Sequence, residues 1–315
     1  MDTYRSKSFT YLFYILEERF FIMTVYTLKN DIITAKISEK GAEVISVVRN
    51  SDGCEYIWQG DPKYWHGQAP YLFPICGRFY DNVYSYRGKE YSMGMHGFAR
   101  KSVFSLVEAS DTSVTLSLKA NETTKAMYPF DFELILKHTL DGETLALDVQ
   151  IRNTGDEVLP AAFGAHPGFN VPLGGVGQFE DYRLEFSEDC SPDELIVTSD
   201  GYYAGRNRAF PIRESRIIDL RHSLFDVEAV FMQNAAREVT LCSDLTERAV
   251  TYRYPDMPYF GIWHEPLTDA PHVCLEPWYG MASYQGVHDD ISTKNNMFRI
   301  EPKSEKKIRM ELVFH

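Results

Sequence analysis

Four polar side chains lie in apolar, glycine-rich surroundings: Arg78 in PYLFPICGRFYDN, His96 in MGMHGFAR, His166 in AAFGAHPGFNVPL and Glu276 in HVCLEPWYG. A carboxylate inside a run of Val, Cys, Leu, Pro and Trp must be desolvated, which is expensive without a partner. Burial raises a carboxyl pKa and an imidazole titrates near neutrality, so one glutamate and two histidines in apolar settings make a general acid and base set. Arg78, directly after Gly77, is either a surface terminus or a fixed fork of hydrogen-bond donors. His96 and Arg100 share a face if their segment is a strand. Trp278 follows Glu276 by two residues, on the same face of a strand, and an indole beside a carboxylate suits the apolar patch of a pyranose ring.

Other chemistries find little support. The chain contains no G-x-S-x-G, no G-x-x-x-x-G-K-[ST] and no H-E-x-x-H, and GGVGQFE at 174–180 lacks the third glycine of a dinucleotide turn. His264, His272 and Cys274, with help from His166, offer the loose spacing H-x₇-H-x-C, which matches no common zinc pattern, so no metal is expected. The remaining histidines, His66, His138, His222, His288 and His315, read as surface or satisfied positions. Five cysteines, an odd number set far apart without a C-x-x-C pair, suggest neither a disulfide framework nor a thiolate zinc site, and fit a reducing cytoplasm. A net charge of −13 and a pI near 5.2 disfavour nucleic acid and anionic membranes as partners and leave small neutral solutes open.

The elements that must position these residues are strands. In FELILKHTL-DG-ETLALDVQIRN two alternating runs flank Asp141-Gly142, a pair expected to supply the positive-φ residues of a tight hairpin turn. Comparable runs recur at IITAKIS, AEVISVVR, SVTLSLKA, AVFMQN, EVTLCS, YFGIWH, HVCLEPW and KIRMELVFH, with turn residues between them, and helical periodicity over three turns is absent. Many strands without crossover helices predict an all-β fold, one large antiparallel β-sandwich over residues 23–315, with its binding groove on a sheet face or at one edge. Residues 1–22 read as an N-terminal extension. SFTYLFYILEERFFI is interrupted by Glu17, Glu18 and Arg19 and has no small-residue cleavage site, and no window is long and uncharged enough to span a bilayer.

Taken in order, GRFYDN, HGFAR, HPGFN and CLEPWYG resemble the aldose 1-epimerase (galactose mutarotase-like) superfamily, most nearly its LacX-like branch, across residues 23–315. The resemblance implies a β-sandwich with an open sugar groove that interconverts the α and β anomers of a free hexose without a cofactor. It also implies Glu276 as the base at the anomeric hydroxyl, His166 as the acid at the ring oxygen, His96 as a second histidine holding the ring oxygen, and Arg78 on sugar hydroxyls. Gly164, Pro167 and Gly168 would then leave room for a sugar ring against the imidazole. The family's hydroxyl-gripping aspartate has no clean match: HSLFDVEAVF offers Asp226 or Glu228. HGFAR is shared with hexose-6-phosphate mutarotases, so Arg100 and Arg78 could bind phosphate, and a catalytically silent sugar-binding protein is the other alternative. Sheet edges leave a homodimer open.

Overall fold

The computed structural model describes residues 23–315, so the expected extension over residues 1–22 lies outside the described residues. The chain is almost entirely antiparallel strand. Among the described residues the α-helix Glu122–Met127 is the only one, closed at its start by Asn121 and Thr124 bonding each other's backbone.

Two large sheets carry the structure. In the nine-stranded sheet the hairpin Phe132–Asp141/Thr144–Asn153 is flanked by the central strand Glu305–Phe314 on one side and by Ser113–Lys119 on the other. Its alternating sequence produces alternating burial, with Leu134 and Leu136 inside and Glu133 and Lys137 outside. The hairpin forms as expected, but its turn sits one residue later. Asp141 pairs with Thr144, so Gly142 and Glu143 make the loop and Gly142 alone has positive φ.

The eight-stranded sheet positions the polar residues. Its central strand, His272–Tyr279, pairs with Tyr259–Trp263 on one side and, on the other, with the two short strands Phe163–Ala165 and Gly168–Asn170. One face packs on the nine-stranded sheet through aromatic contacts such as Phe186 with Phe260 and Phe73 with Phe132, and one hydrophobic cluster runs through both sheets. The opposite face presents Cys274, Glu276 and Trp278. Among the described residues no helix is long and apolar enough to cross a membrane.

Candidate active site

The two short strands flanking the His272–Tyr279 strand keep one register: Gly164 pairs with Trp278 and Gly168 with Cys274. His166, midway between, therefore falls level with Glu276. The ladder skips this point because Pro167 has no N–H to give, and the His166 N–H donates instead to the Pro70 carbonyl at 3.0 Å. The result is a cross-strand pair with His166 Nε2 and Glu276 Oε2 3.3 Å apart. Both side chains are buried at the floor of a cavity of about 810 Å³.

Glycines beside this pair serve a different purpose from the one expected. A Cβ on Gly164 would stand 2.7 Å from Trp278 Cδ1 and 2.9 Å from Cys76 Sγ; one on Gly168 would stand 3.1 Å from both Trp58 Cβ and Trp65 Cζ3. The space they leave is filled by Trp278, Cys76, Trp58 and Trp65, and of these Trp65 stacks on the imidazole.

His96 does not lie in a strand, so the shared parity with Arg100 fails. It occupies a turn at φ 65°, a conformation uncommon outside glycine, and Arg100 follows in the 3₁₀ turn Ala99–Lys101. Two bonds to Gly77 hold the turn: the His96 N–H donates to the Gly77 carbonyl, and the Gly77 N–H donates to His96 Nδ1 at 3.1 Å. With Nδ1 accepting, the neutral ring carries its proton on Nε2 and is a donor. The ring stands edge-on to His166, 5.7 Å between centroids, and both residues line the cavity along with Arg78, Arg100, Trp278 and Glu228.

Asp226 is not among the residues of the cavity. It is exposed just after the 3₁₀ turn His222–Phe225, whereas Glu228, two residues on, is half-buried in the cavity wall. Trp278 is nearly sealed, 3% exposed with Phe231 against its ring at 4.2 Å, so it is wall rather than open platform. The accessible aromatics are two that sequence reasoning missed. Trp65 stacks on His166 at 5.0 Å, and Trp263 meets His166 edge-on at 5.7 Å. The loop that carries Trp65 is pinned by Trp58, whose indole donates to the Trp65 carbonyl, and by Glu43, which accepts from the Ala69 and Gln68 N–H groups. A compositional signal was available: the chain has four tryptophans, and all of them gather at or just behind this cavity.

Burial dominates the electrostatics. It pushes the Glu276 carboxyl well above its usual range, with the nearby Glu228 adding to the shift, and pushes His166 down to about 3. His96 is likewise held well below its ordinary value, by burial first and then by the neighbouring His166, Arg100 and Arg78. Burial thus favours the neutral form of both groups.

The loose trio of His264, His272 and Cys274 does not assemble. His264 is committed, Nε2 to His222 Nδ1 at 3.0 Å and Nδ1 to the Glu265 carbonyl at 2.8 Å, and His272 stacks on Trp58 at 4.4 Å. Cys274 instead joins His166 and Glu276. Of the histidines set aside, His138 bonds the Ala42 carbonyl, His288 pairs with Asp81, His315 bonds Thr251, and His66 is exposed at the cavity wall.

A family model for aldose 1-epimerase matches residues 24–305 of the chain. The plasmid-encoded protein LacX of Lactococcus lactis subsp. lactis is 34% identical over 284 residues, covering 87% of this chain and 94% of that protein. A galactose mutarotase related enzyme from Lactobacillus acidophilus, 31% identical, superposes with a TM-score of 0.88 over 93% of this chain and 97% of its own. A galactose mutarotase-like protein from Lactobacillus casei, 29% identical, gives 0.86 over 93% of this chain and 100% of its own. With GRFYDN, HGFAR, HPGFN and CLEPWYG gathered at one cavity of an antiparallel β fold, the chain belongs to the aldose 1-epimerase family, beside the LacX proteins.

Proposed function

We propose that the protein is an aldose mutarotase that interconverts the α and β anomers of a free hexose, with Glu276 and His166 as the reacting pair. The observation that carries this reading is their level placement where the ladder breaks, 3.3 Å apart at the floor of a cavity of sugar-binding size. In the ring-opening direction the Glu276 carboxylate takes the proton of the C1 hydroxyl. The C1–O5 bond breaks as C1=O forms, and O5 takes a proton from the His166 imidazolium. Rotation about C1–C2 and closure with the roles reversed gives the other anomer.

The cycle needs one proton on the pair at every stage. As carboxylate and imidazolium the pair is complementary to the ring form; after opening it is carboxyl and neutral imidazole, the form that burial favours and that complements the open aldehyde. Proton count is the same in both, so closure regenerates the starting pair. His96 presents Nε2–H to the ring oxygen and an adjacent hydroxyl. Arg78 and Glu228 grip hydroxyls, with Arg100 beyond them, and Trp65 and Trp278 wall the ring.

Polarimetry on freshly dissolved α-glucose and α-galactose tests the reading. Glu276→Gln is expected to lower the enzymatic rate by roughly 10²- to 10⁴-fold, the range for a lost general base. Equal rates in the two proteins would overturn the assignment. Binding without any turnover in the parent protein would favour a silent sugar binder.

One observation favours a second reading. Lys40, Arg78, Arg100 and Lys101 all line the cavity, a cluster suited to the phosphate of a hexose 6-phosphate. Glu43, Glu228 and Glu265 offset that charge and keep the free sugar as the first choice. A panel of free and phosphorylated hexoses in the same assay separates the two.

A further inference from the structure

The proposed reaction uses two side chains of a metal-capable trio and leaves the third, sealed beneath the cavity lining, idle. Cys274 precedes Glu276 by two residues in the His272–Tyr279 strand, projects from the same face and is fully buried. A ring nitrogen of His166, Cys274 Sγ and a carboxylate oxygen of Glu276 all lie within 4.8 Å of one another. No other such trio of histidine, cysteine or acidic side chains occurs among the described residues.

The dimensions fit a small cation. Zinc holds nitrogen and oxygen at about 2.0–2.2 Å and sulfur at about 2.3 Å, so tetrahedral ligand atoms stand about 3.3–3.8 Å apart. His166 and Glu276 already meet that spacing at 3.3 Å, and Cys274 needs to close by about 1 Å at most. The other polar atoms of the pair, His166 Nδ1 and Glu276 Oε1, have no protein hydrogen-bond partner, although both residues are at least nine-tenths buried. Burial keeps the Cys274 thiol and the Glu276 carboxyl protonated, so the cation must displace both protons to solvent; the thiolate and carboxylate that result neutralise the dication. Mixed sulfur, nitrogen and oxygen donors select zinc or cadmium over magnesium or calcium. Three protein ligands leave a fourth coordination position for water or another small ligand.

We propose that His166, Cys274 and Glu276 form a site for a thiophilic divalent cation, Zn²⁺ or its analogue Cd²⁺, whose binding withdraws the acid and base pair from the sugar and inhibits turnover. The inhibition rests on the mutarotase reading; the binding does not.

Titration of chelator-stripped full-length protein with Cd²⁺, followed by thiolate-to-cadmium charge-transfer absorption in the ultraviolet, tests the site. One equivalent is expected to saturate the band, Zn²⁺ to displace it, and Cys274→Ala to abolish it. Cys76→Ala should retain the band, since Cys76 is outside the trio. Cys274→Ser, which keeps the side-chain size, serves if the alanine variant fails to fold. Absence of a band in the parent protein, or a band that survives loss of the Cys274 sulfur, overturns the proposal. Mutarotation assays add a separate arm: Zn²⁺ should slow the parent protein reversibly, and slow Cys274→Ala at least tenfold less readily relative to that variant's own metal-free rate. A band that depends on Cys274 without any effect of Zn²⁺ on a measurable rate would keep the site and overturn the inhibition. Absence of mutarotation in metal-free parent protein would instead count against the proposed function and leave the cadmium result to decide the site.

Discussion

Each large sheet contains a cross-strand pair of opposite character, and the two pairs differ in nearly everything else. In the nine-stranded sheet Asp148 lies opposite Arg309, with Arg309 Nη1 2.7 Å from a carboxylate oxygen and both side chains about half exposed. In the eight-stranded sheet Glu276 lies level with His166, buried, with a broken ladder beside it and glycines on either side. The first pair sits in a continuous register of ten-residue strands; the second sits where two three-residue strands leave a gap. Nine buried side-chain polar atoms lack a protein partner among the described residues, and five of them belong to cavity residues: Arg78, Arg100, His166, Glu276 and Trp278. Buried polar atoms without a protein partner are uncommon in folded proteins, and here more than half of them surround one cavity, while none belongs to the Asp148–Arg309 pair.

The largest effects should separate cleanly between the two sheets. Leu136 is fully buried in the regular hairpin, and Leu136→Ala is expected to lower unfolding stability by about 2–5 kcal/mol while leaving the rate per folded molecule near that of the parent. Glu276→Gln should do the opposite, losing rate with no loss of melting temperature at neutral pH. Denaturant titration combined with polarimetry on both variants checks this. A Glu276→Gln protein as destabilised as Leu136→Ala would mean that the carboxylate is structural.

Gly164→Ala probes the packing beside His166. The added methyl must displace Trp278 or Cys76, and overpacking of this kind costs about 1–3 kcal/mol. Because Trp278 walls the cavity, the variant should also raise KM, measured alongside thermal unfolding. A variant with parent-like stability and KM would show that the indole yields freely.

The pH dependence of stability sharpens the contrast further, measured with a chelator present. Glu276 has a raised pKa in the native state. Between the ordinary value and the raised one, the native protein therefore keeps a proton that the unfolded chain has lost. Its stabilising contribution is present at acid pH and fades as pH rises through the native value, by about 1.4 kcal/mol per pH unit relative to Glu276→Gln. His166 works in the other direction. Its native value is near 3 and its ordinary value 6.5, so the unfolded chain binds the extra proton and stability falls as pH drops from 6.5 toward 3. Between pH 4.5 and 6.5 the two slopes oppose each other in the parent, so His166→Gln should expose a stability that falls as pH rises and Glu276→Gln one that rises with pH. Equilibrium unfolding from pH 4 to 9 reads both slopes, and identical curves for parent and variants would remove both shifts.

Much of this contrast was legible in the sequence, and unevenly so. The regular sheet announced itself through alternation, because period-two patterning maps directly onto one buried face; even there the turn moved from Asp141-Gly142 to Gly142-Glu143, since composition does not fix which residue closes the ladder. Arg78, His96, His166 and Glu276 stood out because polar groups in apolar runs need a reason. What the sequence could not convey was register between distant strands. Only the flanking registers show that His166 is level with Glu276, and only the path of the loop before Val230–Gln233 puts Glu228 rather than Asp226 in the cavity wall. His96 looked like a strand residue because its neighbours are apolar, while the actual turn depends on two bonds to Gly77, nineteen positions away. Trp65 and Trp263 were missed for the same reason: a tryptophan's address in space depends on loops whose path is set by contacts such as Glu43 with Ala69.

The smallest expected effect lies at the exposed pair. Asp148 and Arg309 have ideal cross-strand placement and a short contact, yet both remain well solvated, and such pairs contribute about 0.2–1 kcal/mol. Arg309 also reaches Glu311 at 3.0 Å, so removing Asp148 does not leave the guanidinium without a partner. Asp148→Asn should therefore shift unfolding stability by less than about 1 kcal/mol, with most of the shift erased in roughly 1 M salt, where screening acts within about 3 Å. A double-mutant cycle with Arg309→Gln isolates the coupling. A coupling above about 2 kcal/mol that resists salt would mean that the outer face of the regular sheet is shielded from solvent, and the distinction between a solvated pair and a buried, reactive one would have to be drawn elsewhere in the molecule.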